Sequence, residues 1–155
     1  MSAEPTQGLV DTNILILRDR IDVAELPDEM AVSAITLAEL SAGPHLVRPD
    51  QAEYDEHAER ARRIDVLQRV ENEFDPIPFD AEAARLYGRI NAGVVAVGRT
   101  PRRRAADLMI AATAAAEGLS LYTSNPDDYK GLDHIITLVP VTRPLHSVRR
   151  QRPGA

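Results

Sequence analysis

Three carboxylates stand where a charged side chain is costly to keep. Asp11 closes the short apolar run Gly8-Leu9-Val10, Glu39 sits between Leu37-Ala38 and Leu40, and Asp107 is followed by Leu108-Met109-Ile110-Ala111-Ala112. An ionised carboxylate in apolar surroundings needs a cation or hydrogen-bond donors to compensate it, and a bound metal ion is the natural compensation. The turn Asn125-Pro126-Asp127-Asp128 adds an amide and further acids. Each acid taken alone has a plainer explanation. Asp107 suits the positive end of a helix, Glu39 can pair with an arginine, and Asp11 can serve a strand-end turn. Their coincidence favours a site.

The ligand chemistry is hard oxygen. Cysteine is absent, and His45, His57, His134 and His146 have no paired spacing. Carboxylate-only sites suit Mg²⁺ or Mn²⁺, which keep several waters and engage phosphates. Such an ion lowers the pKa of a bound water to make a nucleophile, and it neutralises charge on a scissile phosphodiester. Clustered acids without metal would repel a phosphate. No Gly-x-Ser-x-Gly elbow and no phosphate-cradling glycine loop occurs.

Positioning these groups requires strands that alternate with helices. Gly8-Leu9-Val10 reads as a strand ending at Asp11, with a helical turn through Ile14 to Leu17. Met30-Ala31-Val32 is a second strand. Ser33 or Thr36 caps a helix that carries Ile35, Leu37, Ala38, Glu39 and Leu40 and stops near Gly43-Pro44. Asp50 and Glu53 have capping-box spacing for a long amphipathic helix with the stripe Tyr54, Ala58, Ala61, Ile64, Leu67, Val70, Phe74. Pro76 and Pro78 bracket an extended Ile77, and Asp80 caps a helix whose stripe is Ala83, Leu86, Ile90, Val94, Val97. Gly98 to Arg104 is a loop, and Ala105 to Glu117 a helix buried on most sides, stopped by Gly118. Leu119 to Thr123 and Ile135 to Val139 complete the strands.

Short apolar strands separated by helices imply a parallel sheet covered on both faces. In such sheets ligands bind outside the carboxyl ends of the strands, near the switch in strand order. Asp11 and the turn after Thr123 share that edge, and Glu39 and Asp107 can point at it.

The 155 residues, 44% hydrophobic, suffice for one domain, expected over residues 1–142 with a loose Arg- and Pro-rich tail over 143–155. No apolar run reaches a membrane span of roughly 20 residues, and the N-terminus lacks a leader pattern. A cytoplasmic protein is expected. The net charge of −6 argues against nucleic-acid coating through a general positive field. Basic ground exists locally, at Arg99, Arg102, Arg103 and Arg104 and again at Arg143, Arg149, Arg150 and Arg152. Arg102, Arg103 and Arg104, just before Asp107, suit phosphate-backbone contacts, the bland alternative being a solvated loop.

The strings Leu9-Val10-Asp11-Thr12-Asn13, Thr36-Leu37-Ala38-Glu39-Leu40, Ala106-Asp107-Leu108-Met109-Ile110-Ala111-Ala112-Thr113-Ala114 and Tyr122-Thr123-Ser124-Asn125-Pro126-Asp127-Asp128-Tyr129 closely resemble the motif series of PIN-domain ribonucleases. More narrowly, their order and spacing resemble the VapC toxins of bacterial toxin–antitoxin pairs. That resemblance implies a three-layer α/β/α fold with a central, mainly parallel sheet. It also implies Mg²⁺- or Mn²⁺-dependent endoribonuclease activity on structured RNA such as tRNA or rRNA, a homodimer, and a cognate VapB-type antitoxin. Asp11 and Asp107 match the direct metal ligands, and Glu39 the acid that completes the metal shell and orients the attacking water. Thr12, Asn13 and Thr123 match small polar residues lining the substrate site. The fourth acidic position carries the neutral Asn125, which can still hold a water or a phosphate oxygen, so Asp128 is the expected fourth acid and one firmly held metal is expected.

Two other functions compete. A phosphate-accepting α/β protein with Asp11 as nucleophile would want an acid where Asn13 stands. A catalytically weakened PIN-fold module that binds RNA or protein would take Asn125 as the weakening change.

Overall fold

The computed structural model describes residues 3–49 and 55–145. Four strands, β1 (Gln7–Val10), β2 (Glu29–Ala31), β3 (Ser120–Thr123) and β4 (Leu138–Pro140), form one sheet in the order β2-β1-β3-β4. All three pairings are parallel. Helices α1 (Thr12–Leu17), α2 (Ala34–Ala42), α3 (Glu56–Glu73), α4 (Ala81–Ala96) and α5 (Ala105–Ala116) cover it.

The strand pleat sorts the core into two layers. Leu9, Leu121 and Leu138 are in register, as are Val10, Tyr122 and Val139. The leucine row packs with Ile90 and Val94 of α4 and with Leu108, Ile110, Ala111, Ala112 and Ala114 of α5. The other row packs with Ile14 and Leu15 of α1, Leu40 of α2, and Val66 and Val70 of α3. Alternating side chains of one sheet thus feed two helical layers, giving the α/β/α sandwich.

Gly8 belongs to the second layer for a packing reason. A Cβ there would lie 2.2 Å from Cε2 and 2.5 Å from Cδ2 of Tyr122, so the ring lies directly over the glycine.

Short polar side chains start the helices. Asp11 accepts from the Ile14 amide at 3.1 Å, Ser33 from Ile35 at 3.0 Å, Asp55 from His57 at 2.9 Å and Asp80 from Ala83 at 2.9 Å. These caps satisfy amides that have no partner within the helix. At the end of α5, Gly118 takes φ +65°, and the Leu119 amide donates to the Ala114 carbonyl at 2.9 Å, turning the chain into β3.

Several elements depart from the pattern read in the sequence. Asp55 caps α3, while Asp50, Glu53 and Tyr54 lie outside the described residues. Of the long stripe, Val70 is buried and Leu67 and Phe74 partly so, whereas Ala58, Ala61 and Ile64 are exposed, and Val66, outside the stripe, is buried. The reason is that Arg60 and Arg63 lay their guanidinium groups on the carbonyls of Pro44 and Gly43, which seats this half of α3 through polar contacts. Val97, placed in the buried stripe of α4, is 48% exposed just past the helix end. The last strand begins at Leu138 because Ile135 and Ile136 return their amides to the Leu132 carbonyl in a tight turn. The loop before α5 contains a 3₁₀ turn, Pro101–Arg104. No described helix is long and apolar enough to cross a membrane.

Candidate active site

The parallel sheet sends the ends of β1 and β3 to the same edge, and the strand order reverses direction between them. A crevice opens there because the chain leaves the two strands towards opposite layers. Asp11 follows β1 directly, its amide donating to the Tyr122 carbonyl at 3.1 Å. Its side chain is 5% exposed and accepts from the Ile14 amide and from the Thr123 hydroxyl.

Burial pushes the Asp11 carboxyl above its usual range against these two hydrogen bonds, and the charges of Glu39 and Asp128 push it further. Asp107, in the first turn of α5 and half-buried, is raised to about 6. Burial is the main cause, followed by the charges of Glu39, Asp128 and Asp11, while Arg104 opposes them. Four acids from separate parts of the chain therefore act on one another across a single crevice.

Tyr129, buried beneath the crevice, reports the same convergence. Its ionisation is opposed first by burial and then by the negative charges of Asp107, Asp11, Asp128 and Glu39.

Glu39 departs from the apolar surroundings expected of it. It is exposed on α2, and its Oε1 accepts from the Thr12 hydroxyl at 2.6 Å. The Thr12 oxygen lies 3.0 Å from the buried Thr36 hydroxyl. Thr123 is fully buried and accepts from the Asn125 amide at 3.0 Å, so it braces Asp11 and the turn and does not face a substrate. Asn13 is exposed at the start of α1.

The arginines differ from one another. Arg102 and Arg103 are exposed, whereas half-buried Arg104 places Nη1 2.8 Å from Asp128 Oδ1. Arg143 reaches back from beyond β4 and donates from Nη1 to Asn125 Oδ1 at 3.2 Å. Arg149, Arg150 and Arg152 lie outside the described residues. Thr36, Tyr129 and the Arg143 contact were not found in the sequence. What the sequence did show was Thr36 as a possible helix cap, Tyr129 as an aromatic next to the acidic turn and Arg143 as part of a basic tail.

The donor set fits a hard divalent cation: oxygen ligands only, with mutual repulsion that a positive ion would relieve. Among the described residues, no three such side chains are drawn in tightly enough to clasp an ion by themselves. Water or substrate oxygens would complete the shell, as Mg²⁺ prefers.

Comparison with known proteins agrees with this architecture. Residues 8–134 match the PIN domain family. The chain is 34% identical over 136 residues to Ribonuclease VapC5 of Mycobacterium tuberculosis, covering 86% of this chain and 93% of that one. It is 32% identical over 108 residues to Ribonuclease VapC8 of the same species, covering 69% and 89%. Among solved structures, VapBC-5 from M. tuberculosis, a member of the VapBC family of toxin–antitoxin systems, superposes with a TM-score of 0.73 at 32% identity. That match covers 88% of this chain and all (100%) of the other. Ordered acidic motifs, an all-parallel sandwich and whole-length relatives lead to one conclusion: the chain belongs to the PIN-domain family, as a ribonuclease of the VapC type.

Proposed function

We propose that the chain is the toxic half of a type II toxin–antitoxin pair. In this reading it is a Mg²⁺-dependent endoribonuclease, with Mn²⁺ able to substitute, that cuts structured RNA of the tRNA or rRNA kind. It works as a homodimer and is silenced by a VapB-type antitoxin. The observation that carries the reading is the convergence of Asp11, Glu39, Asp107 and Asp128 at the switch point of the sheet. The toxin–antitoxin nature of the VapBC-5 relative supports the partner.

An ion held by Asp11, Asp107 and Glu39 would supply a water of lowered pKa and would offset charge on the phosphate. The chain's own residues do the rest. Asp11 is fixed by the Thr123 hydroxyl and the Ile14 amide, so its carboxylate has one orientation. Glu39, solvent-facing and steered by Thr12, is placed to hold the attacking water and take its proton. That water's oxygen bonds to phosphorus as the P–O bond to the leaving RNA strand breaks, and the departing oxygen takes up a proton from solvent. The exposed Asn13, Arg102 and Arg103 flank the RNA path.

The test is cleavage of total tRNA and rRNA by purified protein with Mg²⁺ or Mn²⁺. Cleavage should stop with chelator and in Asp107→Ala. Cleavage that continues unchanged in Asp107→Ala would overturn the reading.

A further inference from the structure

Cations from separate segments meet the turn Asn125 to Asp128, and one of them, Arg104, acts on Asp107. Arg99 donates to the Asp127 carbonyl, Arg104 lies against Asp128, and Arg143 bonds Asn125. Lys130 stands 3.8 Å from Asp127. Four cations thus contact the turn Asn125 to Asp128, which carries two carboxylates, and Arg99 and Arg143 meet neutral oxygens there.

Two details set Arg104 and Arg143 apart. Arg104 Nη1 is shut off from solvent, yet its short contact with Asp128 is not aligned as a hydrogen bond. A shielded guanidinium N–H without an aligned acceptor is costly, and an incoming oxygen would relieve it. Arg143 rests on Asn125, a neutral amide that demands no cation.

We infer that Arg104 and Arg143 form a phosphate clamp on the turn Asn125 to Asp128, beside an ion held by Asp11, Glu39 and Asp107 alone. The inference rests on the metal-dependent ribonuclease reading. In the resting chain Asp128 holds Arg104 in place. When RNA enters, phosphate oxygens offer the guanidinium fork the two-point, charge-assisted contact that Asp128 does not provide. Asp128 is then a positioning residue and not a metal ligand.

Two measurements on the full chain test this, with circular dichroism melts to check that each variant folds. Calorimetric titration with Mn²⁺ should give one ion per chain, kept in Asp128→Asn and lost in Asp107→Asn. Binding of a fluorescent single-stranded oligoribonucleotide in chelator should weaken in Arg104→Ala and Arg143→Ala. The slope of log affinity against log salt should shrink by about 0.7 for each phosphate contact removed. Arg104→Lys should keep that slope, and Asp128→Asn should bind RNA more tightly than the parent. Two ions per chain, one of them lost in Asp128→Asn, would overturn the clamp and leave the nuclease reading intact. Unchanged salt slopes in both alanine variants would overturn it as well. Absence of any Mn²⁺ uptake would sink the metal-dependent reading itself, and the clamp with it.

Discussion

The hydroxyl of Thr12 donates its one proton to Glu39 Oε1 at 2.6 Å, which leaves the Thr36 hydroxyl, 3.0 Å away, as donor to Thr12. A hydroxyl carries a single donor, so the polarity of the chain Thr36 to Thr12 to Glu39 is fixed, and it aims the carboxylate. Thr12→Val removes a hydrogen bond to a charged group, worth about 1.5–3 kcal/mol, and kcat should fall at least about tenfold. The melting temperature should fall as well, because the buried Thr36 hydroxyl loses the Thr12 oxygen to which it donates. A kcat equal to the parent's would show that Glu39 needs no such steering.

Asp11 has two tasks that substitution can separate. It caps α1 through the Ile14 amide, and it carries charge at a buried position. Asn is as good a cap as Asp, whereas Ala costs about 1 kcal/mol. Both Asp11→Asn and Asp11→Ala should lose cleavage. In chelator, thermal melts should rank Asp11→Asn at or above the parent and Asp11→Ala below it. Equal melts for the two variants would mean that the cap contributes nothing.

Asp107 makes the metal-free protein sensitive to pH. Its carboxyl titrates at about 6 in the folded chain, against about 3.9 in an unfolded chain. Between these values the folded state keeps a proton that the unfolded state has released, so stability falls as pH rises through the window. Asp107→Asn should therefore raise the melting temperature in chelator, most above pH 6 and progressively less towards pH 4. Mn²⁺ affinity of the parent should weaken below pH 6, since a ligand must shed its proton to bind. A melting difference that does not change with pH would contradict this origin.

Gly8→Ala places a methyl group inside the Tyr122 ring. Overpacking of this kind costs roughly 1–3 kcal/mol, or a fall of several degrees, at about 2–4 °C per kcal/mol in chains of this size. The double variant Gly8→Ala/Tyr122→Leu should recover much of the loss. No recovery would place the strain in the backbone of β1.

What the sequence displayed was whatever repeats with a local period or breaks one. Leu9 and Val10, then Leu121 and Tyr122, announced strands by being apolar on both faces, and the helix from Ala105 was visible as an unbroken small-apolar run. Asp11, Glu39 and Asp107 stood out because each interrupts such a run. The spacing of Ala58, Ala61 and Ile64 misled, since small or flanked positions can keep a helical period while polar contacts made by Arg60 and Arg63 decide the seating. The pairing of Arg143 with Asn125 and the contact of Thr12 with Thr36 join residues far apart in the chain and leave no period to read. Exposure was misjudged at Glu39 because apolar neighbours in sequence point to other faces of α2.

The pairing of β1 with β3 puts the first strand beside one laid down more than a hundred residues later, with Gly8 opposite Ser120. Closing so long a loop is entropically unfavourable and slow, and little in the first half of the chain can stand in for it. While the polypeptide is still being made, Asp11 and Glu39 exist without Asp107, without the wall of β3 and without the arginine behind it. The acidic crevice therefore closes only once the chain has run past residue 128, and a shorter nascent chain carries Asp11 and Glu39 without the partners that complete it.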